Sequence, residues 1–335
     1  MAKCHMNVLC CALLAMVTLA LNASAQQSAY VTDTRSRGTQ QASEPVANPF
    51  ANTGPEIQVT VDGHTYGQRA EALHNLGSPG DQVNQMPPHR IVGNLYYVGT
   101  VGLASYLVVT PKGDILINTT FERNVPTIQK SVEQLGFKFT DIKIILGSHA
   151  HSDHQEGDAL AKQLTGGAKI MVMAEDVPLL QKMMPGGKPH PIDRVLHDGD
   201  EVELGGAALV AHLTPGHTPG CTTWTMKVHD GGRTYDVVIV GSLSVAPGTK
   251  LVNNANDPHI VDEYRRAFKV SKELHCDIFL ASHGAVYDSK EKYAKLRAGG
   301  PNPFIDPDGY KKEIAIEEAI FNAVLAQQNK AAAAK

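Results

Sequence analysis

The sequence predicts an α/β fold in which two β-rich layers lie face to face with helices outside. Two observations predict it. Strands precede helices in both halves of the chain, and each half closes with a strand, a loop and a helix. No short-period repeat of the solenoid type is present.

Regular structure is expected to begin near Arg90. Residues 91–100, 104–110 and 114–119 are β-rich runs separated by glycines and the turn signal Pro111-Lys112-Gly113-Asp114. Residues 125–135 space their apolar side chains as a helix does. Ile142–Leu146 is short and apolar except for Lys143, which reads as a buried strand. A helix is expected over 156–164 and a strand over Lys169–Met173. After Asp198-Gly199-Asp200 the pattern turns to strands at Glu201–Leu204, Ala207–Leu213, 222–228 and 235–240. A helix over 261–275, a strand over 277–281, a helix over 289–297 and an Ala- and Glu-rich helix over 311–330 complete the chain.

The N-terminus reads as an export signal over residues 1–25. Lys3 supplies the positive charge, residues 8–21 are mostly apolar, and Ala23-Ser24-Ala25 offers small cleavage-site residues. The apolar run is shorter than the ~20 residues a membrane span needs. No later segment is apolar enough to cross a bilayer, so a mature protein free of the membrane, in a bacterial periplasm, is expected. Residues 26–54 are rich in Ser, Gln, Asn, Thr and Pro and read as a flexible leader. One domain is expected over 55–335, with residues 55–90 wrapping over it rather than building its core. Once the signal is removed only Cys221 and Cys276 remain, either paired or as two buried thiols.

With 335 residues, 42% hydrophobic and 19% charged, the chain has the composition of an ordinary globular protein. A net charge of −4 without a long basic run argues against a nucleic-acid partner. The 15 histidines are the unusual feature, roughly twice the expected number. Their positions matter more than their number.

The decisive segment is Ser148-His149-Ala150-His151-Ser152-Asp153-His154, directly after the strand Ile142–Leu146 and before a helix. Residues two apart on extended chain point the same way, so His149 and His151 can offer imidazoles to one point. Where the chain turns into the helix, Asp153 and His154 can converge on a second. Zn²⁺ accepts imidazole nitrogen and carboxylate oxygen, and a catalytic zinc keeps one position open for water. Further ligands are expected from other strand ends. His217 sits at the tip of Thr214-Pro215-Gly216-His217-Thr218-Pro219-Gly220, and His283 follows an apolar strand in Ala281-Ser282-His283-Gly284. His64, His74, His190, His197, His229 and His259 lie in loops or polar stretches and read as solvated.

The His-x-His-x-Asp-His signature with the later Gly-His and Ser-His-Gly positions resembles the metallo-β-lactamase superfamily over roughly residues 90–300. The resemblance implies an αββα sandwich with the metals at one edge. Subclass B3 is the nearest pattern. Where many members carry a metal-bridging Asp, this chain has Gly241-Ser242-Leu243-Ser244, and the zinc-binding Cys of other lactamase subclasses is missing too. Trp224 and Pro301-Asn302-Pro303-Phe304 also look like subclass B3. Carried over, the family roles give His149, His151 and His217 to one zinc and Asp153, His154 and His283 to another. The chain departs from the pattern at Gln155-Glu156-Gly157, where Glu156 either caps a helix or alters the surroundings of the metals.

The resemblance implies zinc-dependent hydrolysis of β-lactam antibiotics by a metal-bound hydroxide, with Asp153 orienting the nucleophile. Two Zn²⁺, one Asp and one hydroxide leave the site about +2, which favours an anionic substrate. Ser242 and Ser244 are candidates to hydrogen-bond the substrate carboxylate, or are turn residues only. Leu103 and Leu243 are read as cleft lining or, more simply, core. A monomer is expected. The alternatives are a thioesterase or lactonase of the same fold, and a non-catalytic periplasmic zinc-binding protein.

Overall fold

The computed structural model describes residues 48–334. The expected export signal and the leader up to residue 47 lie outside the described residues. A hairpin comes first, β1 (Gln58–Val61) with β2 (His64–Gly67), then helices α1 (Gln68–Leu76) and α2 (Pro79–Val83). A seven-stranded sheet follows in sequence order: β3 (His89–Val92), β4 (Leu95–Tyr97), β5 (Tyr106–Val108), β6 (Asp114–Ile117), β7 (Ile142–Leu146), β8 (Lys169–Met173) and β9 (Arg194–Leu196). Between its strands lie α3 (Val125–Gln134), α4 (Ser152–Gln155), α5 (Asp158–Leu164) and α6 (Val177–Leu180). A five-stranded sheet holds β10 (Glu201–Leu204), β11 (Ala207–Leu213), β12 (Thr222–Asp230), β13 (Arg233–Val240) and β14 (Ile278–Ala281). Helices α7 (Ile260–Glu273), α8 (Ser289–Ala298) and α9 (Pro307–Ala333) belong with this second half.

The period-2 alternation of strand side chains makes the layers. Ile115 and Ile117 of β6, and Ile144 and Leu146 of β7, enter the core shared with Leu209, Ala211 and Trp224 of the second sheet. Leu116 and Ile145, one residue out of phase, pack outward against Val125, Ile128 and Val132 of α3 and Ala161 of α5. Tyr264 and Phe268 of α7 stack on each other and meet Phe321 of α9 at a tilt, within the core of the second half. The order helix, sheet, sheet, helix is the expected αββα sandwich.

Strand direction brings the loops of interest to one edge. β11 runs antiparallel to β12, β12 antiparallel to β13, and β13 parallel to β14, so β11, β13 and β14 share one direction. Their C-terminal ends therefore finish on the same side. The end of β7 joins them through two cross-sheet bonds. Thr222 N–H donates to the Ser148 carbonyl at 2.7 Å, and Trp224 Nε1–H donates to the Gly147 carbonyl at 3.0 Å.

Several elements differ from the sequence expectations. Residues 91–100 do not form one strand, because the chain turns at Gly93 (φ 48°) between β3 and β4. The strand β9 and the hairpin β1–β2 went unseen, since both are short and largely exposed. Residues 55–90 pack onto the domain. Ile57, Val59 and Val61 lie against the main core, and the Gln68 amide donates to the Val245 carbonyl at 2.8 Å. Cys221 and Cys276 are separate buried thiols. Among the described residues no helix is long and apolar enough to cross a membrane.

Trp224 tests how strongly the two sheets are tied at the working edge. Trp224→Phe removes the indole donor to the Gly147 carbonyl and leaves a void at a residue 1% exposed. We expect a loss of about 3 kcal/mol in urea unfolding. An unchanged midpoint would mean that this carbonyl finds another donor at no penalty.

Candidate metal centre

The loop after β7 is shaped by Asn118. Its backbone is left-handed (φ 62°), its N–H donates to the Leu146 carbonyl at 2.8 Å, and its Oδ1 accepts from Ser148 N–H at 2.9 Å. His151 is extended (φ −109°, ψ 152°), and α4 starts at the next residue. The His151 N–H donates to the His149 carbonyl at 2.9 Å, so a tight turn at Ala150, and not the expected extended chain, brings these two rings together before α4 carries Asp153 and His154 towards a second point. Thr119 and Thr120 N–H both donate to the His154 carbonyl, at 3.1 and 3.0 Å.

His217 comes from the turn after β11 and His283 from the residues after β14, both at this edge. The donor atoms of His149, His151 and His217 lie within 4.8 Å of one another. Their rings meet edge to face, with centroids 4.7–4.9 Å apart. Beside them, His154 Nε2 is 3.1 Å from His283 Nε2 and 3.4 Å from Asp153 Oδ2, and His283 Nε2 is 3.3 Å from the same oxygen. All six residues predicted from sequence come together.

The donor set fits cations. Tetrahedral zinc with ligands at 2.0–2.1 Å sets neighbouring donors ~3.3 Å apart, which is the spacing of Asp153, His154 and His283. Among the described residues His149 Nε2 is buried without a hydrogen-bond partner, an arrangement that is costly unless a cation completes it. His217 is fixed in one tautomer. Its Nδ1–H donates to the Ser244 carbonyl at 3.0 Å, which leaves Nε2 with its lone pair free.

Burial favours the neutral form of four of the imidazoles. Desolvation holds His149 well below the usual histidine range, with the neighbouring His154 adding to it. His151 and His154 are lowered by the same cause. His217 falls to about 3, first through burial and then through His151. Burial alone would raise the Asp153 carboxyl, but His154 and His283 more than reverse this and hold it well below the carboxylate range. Neutral imidazole and ionised carboxylate are the forms that bind metal.

A cavity of about 210 Å³ opens over these groups. His151, Asp153, His217 and His283 form its polar floor, and Ser242, Leu243 and Ser244 form one wall. The Ser242 and Ser244 hydroxyls are 3.1 Å apart, and Ser244 Oγ is 3.3 Å from His217 Nδ1. Leu243 lines the cleft, whereas Leu103 is core and bridges to His283 through its backbone. Phe50 and Leu76 cover the cavity from the N-terminal side, and Glu313 and Glu317 of α9 close its far end. Phe50 falls inside the stretch read as leader, and nothing in its polar neighbourhood marks it. The two glutamates are spaced as an ordinary solvated helix pair would be.

Two sequence readings need correction or closure. His190 is not solvated. It is buried, with Nε2 3.1 Å from Asp158 Oδ2 and 3.2 Å from the Gln155 carbonyl. Burial opposes its protonation, but the Asp158 contact outweighs this and raises its pKa. Its neighbours Lys188 and Pro189 suggested a surface loop, and only the fold delivers Asp158 to it. Glu156 stands at the end of α4 near Arg123 and Glu122, and burial raises its pKa. Gly157, next to it, is required by packing, since a Cβ there would meet Val125 at 2.6 Å and the Thr119 carbonyl at 2.9 Å.

Glu317 yields a pH test. Burial, reinforced by Glu71, pushes its carboxyl up to about 8. The group is neutral when folded, whereas the unfolded chain ionises it above about 4.5. Its contribution is therefore full below pH 4.5 and lost as pH rises through 8. Glu317→Gln should be more stable than the parent at pH 9 by roughly 1 kcal/mol or more, with little difference at pH 5. Equal stabilities at both pH values would show that Glu317 is ionised without penalty.

The sequence description of the metallo-beta-lactamase superfamily matches residues 99–283. Among solved structures, the chain is similar to the FEZ-1 metallo-beta-lactamase from Legionella gormanii. The two are 51% identical with a TM-score of 0.71, over 74% of this chain and 98% of that one. It is also similar to BJP-1, a subclass B3 metallo-beta-lactamase of Bradyrhizobium japonicum, at 37% identity and TM-score 0.69 over 75% and 98% of the two chains. Among curated proteins, the human mitochondrial persulfide dioxygenase ETHE1 is 26% identical over 126 residues, which is 38% of this chain. That match spans 43% of the human protein.

Proposed function

Because this chain belongs to the metallo-beta-lactamase superfamily and resembles its subclass B3 enzymes, we propose that it hydrolyses the amide bond of β-lactams with two zinc ions. One observation carries the reading. Two donor triads share a single cleft whose wall, at Gly241-Ser242-Leu243-Ser244, offers hydroxyls and no carboxylate. His149, His151 and His217 would hold one ion, and Asp153, His154 and His283 the other. When bound, zinc supplies Lewis acidity and lowers the pKa of water from 15.7 to about 7.

The chain's own groups do the rest. Asp153, the one ionised carboxylate on the floor, accepts a proton-bearing contact from the attacking water and orients it towards the lactam carbonyl. The hydroxyls of Ser242 and Ser244 donate to the carboxylate beside the lactam ring. The Ser244 carbonyl keeps His217 in its tautomer through turnover. Phe50, Leu76 and Leu243 shield one flank from water. All six donors come from one chain, so no second copy is needed to complete either triad. The signal-like N-terminus supports a periplasmic location, where β-lactams act on cell-wall synthesis.

Purified mature protein should hydrolyse a chromogenic cephalosporin or a carbapenem, lose that activity on exhaustive chelation and regain it with zinc. Full turnover by metal-free protein would exclude the mechanism. Turnover of acyl thioesters or lactones in place of lactams would move the chain to another branch of the superfamily. Ser242→Ala should raise KM for a carboxylate-bearing lactam about 10-fold while leaving kcat within about 3-fold. An unaltered KM removes Ser242 from substrate binding.

A further inference from the structure

Asp176 follows β8 and is 1% exposed. Its Oδ2 accepts from Ala150 N–H at 2.8 Å and from Thr218 Oγ–H at 2.9 Å, while Oδ1 accepts from Gly220 N–H at 2.7 Å. Ala150 is the residue between His149 and His151. Thr218 directly follows His217, and Gly220 stands three residues after it. One buried carboxylate therefore bonds both loops that make up the first triad, while His283 of the second triad comes from β14, outside these bonds.

The surroundings are built for this contact. A Cβ at residue 220 would stand 2.5 Å from Asp176 N and 2.7 Å from its Cβ and Cγ, so only glycine lets the turn approach. Desolvation dominates at Asp176 and raises its pKa, with the Gly220, Thr218 and Ala150 donors acting against it. A buried carboxyl compensated by backbone donors is expensive to keep for packing alone.

We propose that Asp176 is a positioning residue that sets the spacing between the His149–His151 backbone and the His217 turn, and thereby the affinity of the first triad for its metal ion. The inference rests on the metal-centre reading above, and not on the identity of the substrate. Asparagine cannot replace the carboxylate. In either orientation its NH₂ group faces a backbone N–H, that of Gly220 or that of Ala150. Thr218→Val removes one of the three bonds and leaves Asp176 in place.

The test is metal binding by the full mature protein. Metal-free parent, Asp176→Asn and Thr218→Val are titrated with Zn²⁺ against a chromophoric chelator and with Co²⁺ by visible absorption. His217→Ala identifies the spectrum of the first triad. Asp176→Asn should weaken the ion of that triad about 10–100-fold and leave the other within about 3-fold. Thr218→Val should weaken the same ion by about 3-fold, and it decides the question if Asp176→Asn does not fold. Unchanged affinities, or equal weakening of both ions, would overturn the proposal, the second by showing general softening of the fold. Because no readout depends on lactam turnover, failure of the lactamase reading would leave this result standing, and the reverse also holds.

Discussion

Five imidazoles and one carboxylate crowd into a single spot, and the fold must hold them there against the desolvation of most of them. Burial keeps His149, His151, His154 and His217 neutral. Neutral rings crowded together direct lone pairs at one another, and among the described residues His149 Nε2 has no hydrogen-bond partner. Such an arrangement works against folding unless the surrounding structure over-determines it. Two cations would turn that local opposition into binding energy.

The over-determination comes from strand direction and from bonds between loops. β11, β13 and β14 run the same way, so the residues after each strand emerge at one edge without any long connection. The end of β7 is bonded to that edge through Ser148–Thr222 and Gly147–Trp224. Asn118 bends the chain at the start of the loop and lends Oδ1 in place of a backbone carbonyl. The rigid parts are thus the sheet ends, and the ligands sit within a few residues of them.

This arrangement explains what could be read from sequence. His149, His151, Asp153 and His154 were legible because all four fall within six residues between a strand and a helix, although a tight turn at Ala150, not strand period, brings the first two together. His217 and His283 were legible because each follows an apolar strand and stands beside glycine. Residues whose roles depend on distant partners gave no such signal. Asp176 precedes Val177-Pro178 and looks like a helix cap, yet its partners lie 26 to 44 residues away. His190 looked solvated because Asp158 is brought to it only by the fold. Phe50 and Glu317 reach the cleft from opposite ends of the chain, so no local pattern could join them.

The stretch from Gly241 to Ser244 shows how the absence of a ligand can be an active feature. The Ser244 carbonyl accepts from both His217 Nδ1–H and the Tyr264 hydroxyl, at 3.0 and 2.9 Å, so its backbone is already committed to holding the His217 ring in place. Its side chain and that of Ser242 remain on the cleft wall as neutral donors. A carboxylate there would add an anion to a wall that now offers only neutral groups. Glu313 and Glu317 do not undo this, because burial raises both carboxyls and favours their neutral forms. The cleft therefore sets one ionised carboxylate on its floor and neutral donors on its wall, a division of charge that leaves the imidazole cluster as the place where a cation gains most.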